Sequence, residues 1–391
     1  MNEIDLAKFE ETSIRLAVAV QKLAKRDFLA KIALGKEPRI KILRGFRGVG
    51  KTTALLQLME KGALYFSMDN PVVETNTLYE IGKKAAMAGY KALLVDEVHC
   101  YPNWKKDAKA LYDEFPKLSI ALSGSAPLAF EPERRHEMIE IEPLSLGEFM
   151  RLQGLKAAAS DAWMDEKKAV EFTALNPEIY AHFSKYMQGG GFPAFFSFEE
   201  KTLGAIFNSI TKSIRQDTAF AANVDGEIIA AMQKAVIFLA SSLPGELSIN
   251  SLSNILHLNR YKTGRAIELL SGMKIVRLIK PSGKGAKLVR QDPKMLFYHP
   301  NLRKAVCESI GTTADVGAMR EELAAFFLNG RGWGIGTIRG MKKSPDYIIE
   351  KNGERIILEI GGKGKGKAQL SEFSGKKLVI REQGLLALGM Y

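Results

Sequence analysis

Gly45-Phe46-Arg47-Gly48-Val49-Gly50-Lys51-Thr52 follows the apolar run Ile40-Lys41-Ile42-Leu43 and precedes Thr53-Ala54-Leu55-Leu56-Gln57-Leu58-Met59-Glu60. The first run is β-prone and the last reads as a helix, so the glycine-rich stretch sits between a strand and a helix. Its glycines let the backbone curl until successive N–H groups point inward at a phosphate chain. The pattern GxxxxGK[ST] then assigns Lys51 to the β- and γ-phosphates and the Thr52 hydroxyl to Mg²⁺. Gly45, Gly48, Val49, Gly50, Lys51, Thr52 and Thr53 form the expected nucleotide cradle, and the positive end of the following helix adds to it. A glycine-rich turn with a chance lysine would give the same letters, but rarely between a strand and a helix.

A second motif supports the first. Ala92-Leu93-Leu94-Val95 reads as a strand buried on both faces, as parallel sheets require, and it ends in Asp96-Glu97, 45 residues after Lys51. Ligands of open α/β sheets bind at the carboxyl ends of the strands. Asp96 is therefore expected to hold Mg²⁺ through water, and Glu97 to orient and deprotonate an attacking water. A further strand, Leu118 to Leu122, ends in Ser123-Gly124-Ser125. A polar residue there, Ser123 first, can meet the γ-phosphate or the water, or else cap a turn.

The whole chain has 391 residues, 46% hydrophobic and 26% charged, which suits a globular protein of about two to four domains. No apolar run approaches the ~18 residues of a membrane span, and the N-terminus lacks a signal-peptide pattern. A cytoplasmic protein without a membrane partner is expected. Cys100 and Cys307 are the only cysteines, far apart, and the five histidines form no metal-type cluster. That argues against a disulfide framework and against zinc.

The net charge is +12 and the pI about 9.4, which suits a polyanionic partner. Between Lys274 and Lys304 stand nine Lys/Arg and a single acid, Asp292. Leu247 to Leu256 and Arg260 to Ser271 read as two helices around the turn His257-Leu258-Asn259. Lys274 to Lys280 reads as a strand, Pro281 to Gly285 as a turn and Ala286 to Arg290 as a return strand. Helix-turn-helix followed by a basic hairpin is a winged helix, and duplex DNA is the expected partner, met by Arg260, Lys262 and Arg265. Winged helices also serve as protein-interaction modules.

Taken in order, GFRGVGKT, LLVDE followed by Trp104, SGS, an arginine eight residues before PLSLGEF, and GGFP at 190–193 resemble the bacterial and archaeal AAA+-type ATPases. Those carry a P-loop domain, a winged helix and a C-terminal restriction-endonuclease-like domain. The resemblance implies an α/β fold with a parallel P-loop sheet whose sensor strand lies between the two Walker strands. After it would come a helical lid, a winged helix and an α/β endonuclease-like domain. The expected boundaries are 1–150, 151–240, 241–305 and 306–391. The resemblance also implies ATP hydrolysis with Mg²⁺, and it makes Arg135, with Arg134 beside it, a candidate arginine finger or sensor. A finger needs a neighbouring subunit or domain to receive it, so a homo-oligomer is one expectation and a chance surface arginine pair the alternative.

In the last part, Glu321 and Glu322 lie on a helix around Met319 to Phe327. Asp346 and Glu359 stand across a hairpin turned at Lys351-Asn352-Gly353-Glu354. This resembles the PD-(D/E)xK nuclease core, in which acids bind Mg²⁺ and a lysine two residues after the second acid activates water. Here that position is Gly361. Lys363, Lys365 or Lys367 are candidate substitutes, although a solvated basic loop is the simpler reading.

Overall fold

A computed structural model describes residues 6–37, 39–59, 61–74, 76–125, 133–220, 224–245, 248–282, 292–338, 344–361, 373 and 375–391. The chain forms two compact units. The first comprises residues 1–142 together with 215–223, and the second comprises 143–214 and 224–391.

The first unit is built on five strands: β1 (Ile40–Arg44), β2 (Ala63–Ser67), β3 (Ala92–Asp96), β4 (Ser119–Gly124) and β5 (His136–Glu140). They lie in the order β2-β3-β4-β1-β5 and are parallel throughout. The strand carrying Ser123 therefore lies between the two strands that lead into Gly45 and Asp96, as expected. Ile40, Ile42, Leu93 and Val95 on one face and Leu43, Leu94 and Ala121 on the other are fully buried. Burial on both faces explains why these strands read as continuous apolar runs rather than alternating ones. A helix, α1 (Leu6–Gln21), packs against β2 and against α2 (Lys51–Gln57). The helix Leu78–Met87 opens with a capping box, Thr77 and Glu80 each bonding the other's backbone N–H.

The second unit begins with helices. Glu166–Leu175 and Glu178–Lys185 lead into a turn at Gly189, whose φ of 128° is open to glycine. Phe192, three residues on, is buried. The helices Ile249–Leu256 and Arg260–Gly272 follow, capped by Ser248 and Asn259. Then come β6 (Val276–Ile279) and β7 (Lys294–Phe297), antiparallel with Val276 opposite Phe297. The return strand expected at 286–290 lies outside the described residues; the strand that pairs with β6 is later in the chain.

The remaining strands are β8 (Gly334–Gly336), β9 (Tyr347–Lys351), β10 (Glu354–Ile360) and β11 (Lys376–Ile380). They form a mixed sheet in the order β11-β10-β9-β8, with only the β10–β11 pair parallel. The helix Val316–Gly330 packs on it. Arg303 and Glu322 form a wholly buried ion pair, and Arg303 also donates to the carbonyls of Leu239, Ala240 and Ser242. Removing one partner of such a pair typically costs ~3–5 kcal/mol, because the other charge is left buried.

Candidate functional site: a phosphate loop facing two carboxylates

The loop between β1 and α2 needs its glycines. Gly48 and Gly50 have φ of 87° and 95°, which L side chains rarely adopt. A Cβ on Gly45 would stand 2.2 Å from the Ile141 carbonyl oxygen, so only glycine lets the loop leave β1 beside that strand exit. Lys51 opens α2, and its buried Nζ donates to the carbonyls of Gly45 at 2.9 Å and Phe46 at 3.0 Å. Burial lowers the Lys51 pKa to about 8, partly offset by the charges of Glu97 and Asp96. Thr52 follows on the exposed side of the helix, with Thr53 half-buried.

Asp96 ends β3 and is buried. Ser123, fully buried on the neighbouring β4, donates its hydroxyl to Asp96 Oδ1, and Tyr65 donates to Oδ2 at 3.2 Å. The next residue, Glu97, is held in a left-handed conformation (φ 44°, ψ 40°). Such backbone strain in a non-glycine residue clusters at functional sites. Glu97 Oε2 accepts from the Ser125 N–H and hydroxyl, each at 3.3 Å, and lies 3.2 Å from His99 Nδ1. Burial, with the Asp96 charge beside it, raises the Glu97 pKa, while Lys51 and Arg47 pull it back. Burial also lowers the His99 pKa to about 4, so its ring is neutral at pH 7.

These groups fit a triphosphate and Mg²⁺. The loop is a cradle that a Cβ would fill, and the lysine is desolvated. Asp96 and Thr52 offer hard oxygen donors of the kind Mg²⁺ takes alongside waters and substrate phosphates. A cluster of three protein carboxylates is not required for this, and among the described residues none of that kind, with or without His and Cys, is present.

The structure brings together Gly45, Lys51, Asp96, Glu97 and Ser123, but not Arg135. The register pairs Ile40 with His136, which puts Arg135 at the amino end of the strands, while the loop lies beyond Arg44 at their carboxyl ends. There Arg135 Nε is 3.3 Å from Asp113, and its guanidinium lies over the Tyr112 ring. Within one chain it does not complete the site.

Reading the sequence missed Tyr65, His99, Arg47 and Asp217. Arg47 occupies a position to which the loop pattern is indifferent, yet its Nη2 donates to Ser125 Oγ at 3.0 Å and to Asp217 Oδ1 at 2.7 Å. Asp217 lies 170 residues further along the chain, and no local signal marks it. Tyr65 reads as one more apolar residue of a buried strand.

The other expected residues are elsewhere in the chain. Arg260 donates to Asn250 Oδ1 at 2.6 Å and to Asp292 Oδ1 at 2.9 Å. Lys262 bonds Asp225 at 2.9 Å and also Glu227, and Arg265 lies 3.7 Å from Glu268. Tyr261 beside them is 81% exposed. In the C-terminal sheet, Asp346 and Glu359 are neighbours: the Asp346 N–H donates to Glu359 Oε2 at 3.3 Å, and Asp346 Oδ2 accepts from the Ile360 N–H at 2.8 Å. Glu321 is instead bonded to Lys294, and Glu322 to Arg303. The lysines at 363, 365 and 367 lie outside the described residues.

Residues 37–150 match the family model of an AAA domain, which supports an ATPase of AAA type in this part of the chain. Residues 180–313 match a domain of unknown function, DUF8612. The uncharacterised protein MJ1637 of Methanocaldococcus jannaschii is 25% identical over 375 residues, covering 86% of this chain and 78% of its own. Among solved structures, the Walker-type ATPase PABY2304 of Pyrococcus abyssi is 12% identical with a TM-score of 0.38, over 76% of this chain and 95% of that one. A signal-transduction ATPase of Pyrococcus horikoshii with a tetratricopeptide repeat sensor is 12% identical with a TM-score of 0.24, over 78% and 44%. Among the described residues no helix is long and apolar enough to cross a membrane.

Proposed function

We propose that the chain binds ATP at residues 45–53 and hydrolyses it, with Asp96 and Thr52 as the Mg²⁺ side of the site and Glu97 as the base. The observation that carries this is the bond from Ser123 on β4 to Asp96 on β3, in front of a buried Lys51 that feels both Asp96 and Glu97. Mg²⁺, when bound, supplies Lewis-acid polarisation of phosphate oxygens. Lys51 provides fixed positive charge for the β- and γ-phosphates. Glu97, held by Ser125, takes the proton of a water whose oxygen bonds to the γ-phosphorus as the bond to the β,γ-bridging oxygen breaks. ADP and inorganic phosphate leave. Ser123 keeps Asp96 oriented, with its hydroxyl within reach of the same region.

The finer reading couples this cycle to DNA. The two capped helices and the β6–β7 hairpin are read as a winged helix, with Arg260, Lys262 and Arg265 toward duplex backbone. Exposed Tyr261 and the basic run to Lys304 support that reading. The ion pairs of Arg260 and Lys262 mean that DNA would have to displace protein carboxylates. The C-terminal sheet is read as endonuclease-like in fold. Nuclease chemistry is the weaker reading, because Glu321 is engaged by Lys294 and Gly361 replaces the lysine.

The deciding experiment is ATP hydrolysis measured with and without duplex DNA. Stimulation by DNA supports both halves. Hydrolysis that ignores DNA leaves the ATPase and removes the coupling; no hydrolysis and no nucleotide binding removes the whole reading. Plasmid cleavage with Mg²⁺ or Mn²⁺, lost in Asp346→Ala, would restore the nuclease.

A further inference from the structure

The phosphate loop carries a second cation with no part in the scheme above. Arg47 is the third residue of GFRGVGKT, and its Nη2 hydrogen-bonds Ser125 Oγ at 3.0 Å. Ser125 in turn holds the carboxylate of Glu97 through both its N–H and its hydroxyl. One guanidinium thus connects the loop to the residue that fixes the base.

Its counter-charge comes from a distant part of the sequence. Asp217 lies on the segment 215–223, which packs with the first unit although the chain on both sides of it belongs to the second. Its side chain is 1% exposed, and Oδ1 takes the Arg47 Nη2 bond at 2.7 Å. Among the described residues, Arg47 Nε and Asp217 Oδ2 are both buried without a hydrogen-bond partner. Buried polar atoms are almost always paired, and an exception calls for an explanation. Here the unpaired N–H belongs to a planar fork, a shape suited to phosphate oxygens.

We propose that Arg47 is a catalytic residue, a cation supplied in cis to the terminal phosphate of ATP, and that Asp217 is the positioning residue that aims it. The proposal rests on the ATPase reading above and adds to it the source of charge stabilisation. Hydrolysis spreads negative charge over the terminal phosphate and the leaving oxygen, and preorganised cations there lower the barrier. Lys51 grips the phosphate chain from within the loop. Asp217 binds Arg47 through Nη2, and among the described residues no protein acceptor on Nε would have to be displaced by a phosphate oxygen. The chain thereby carries its own arginine at this site, where Arg135 is absent.

The test is a double-variant cycle on the full chain, read both by steady-state hydrolysis and by titration with fluorescent ADP and with a non-hydrolysable ATP analogue. Arg47→Ala is expected to lower kcat about 100-fold and to weaken the ATP analogue. Its affinity for ADP should stay within about twofold of wild type, because the lost contact is to the terminal phosphate alone. Arg47→Lys should recover part of the rate. The near-isosteric Asp217→Asn should lower kcat about tenfold with ADP binding unchanged, and Arg47→Ala/Asp217→Asn should be no slower than Arg47→Ala alone.

Wild-type kcat in Arg47→Ala overturns the proposal. So does an equal loss of ADP and ATP affinity, which would mean a damaged loop, or effects of the two substitutions that multiply. These results are read against a wild-type chain that hydrolyses ATP. A wild-type chain that neither binds nor hydrolyses it overturns the ATPase reading and this proposal together.

Discussion

The Tyr65 hydroxyl donates to Asp96 Oδ2 at 3.2 Å across the β2–β3 pair, while Ser123 holds Oδ1 from the other side. The carboxylate assigned to Mg²⁺ is thus clamped between two strands. Partners of this kind orient a ligand and set its basicity. Tyr65→Phe keeps the ring and the packing but removes the donor. The Mg²⁺ concentration for half-maximal hydrolysis should rise about tenfold, with kcat at saturating Mg²⁺ largely retained. An unchanged Mg²⁺ dependence would mean that Ser123 alone sets the geometry of Asp96.

Lys51 and Glu97 should separate binding from turnover. Lys51→Ala removes the charge at the phosphates and should abolish nucleotide binding in a fluorescent-nucleotide titration. Glu97→Gln keeps the shape and the acceptor oxygen for Ser125 but cannot take a proton, so ATP should still bind while turnover is lost, by roughly 10²–10⁴-fold. Because burial and Asp96 raise the Glu97 pKa, the acid limb of the wild-type rate profile should lie above the ordinary glutamate range. Undiminished hydrolysis in both variants would end the ATPase assignment.

The desolvation of Lys51 has a pH signature. With its pKa lowered to about 8, the ammonium is partly deprotonated near pH 8 in the nucleotide-free protein. A bound triphosphate favours the charged form and raises that pKa, so binding near pH 8 takes up a proton. Affinity should therefore fall as pH rises through 8. Calorimetry in two buffers of different ionisation enthalpy should report the uptake, and Lys51→Arg, charged at every accessible pH, should remove it. Equal binding enthalpies in the two buffers for the wild-type protein would contradict the buried, partly neutral lysine.

The first unit is legible in sequence because its signals are local and mutually consistent. Strands buried on both faces read as apolar runs, and Gly45, Gly48 and Gly50 mark a loop that only glycine can make. Thr77 and Glu80 announce their helix three residues apart. Tyr65 and Asp217 could not be read this way. Their roles exist only once the strand order and the path of the segment 215–223 are known, and an aspartate just after the helix Thr202–Arg215 looks like any solvated acid. For Arg135 the limit is related: sequence order does not say which end of a parallel strand faces the ligand, and within one chain Arg135 lies at the amino end. The basic helix start at Arg260 was legible as charge, but not as charge already paired with Asp225, Glu227 and Asp292.

That pairing yields the last prediction. Lys262 bonds Asp225 and Glu227, and Asp225 also caps the helix Gly226–Ser241 through the Ile228 N–H. Glu227→Gln removes one competing charge and leaves the Asp225 cap untouched. If the two helices and their hairpin bind duplex backbone, Glu227→Gln should tighten binding a few-fold at low salt. Lys262→Ala should weaken it evenly across unrelated sequences and reduce the slope of log affinity against log salt by about one. Arg265→Ala should act in the same direction, since its ion pair with Glu268 is a long one. Fluorescence anisotropy over a salt series checks all three. If the wild-type chain shows no salt-dependent duplex binding with or without ATP, these helices are a protein-interaction surface instead, and the carboxylates around Lys262 hold the fold together.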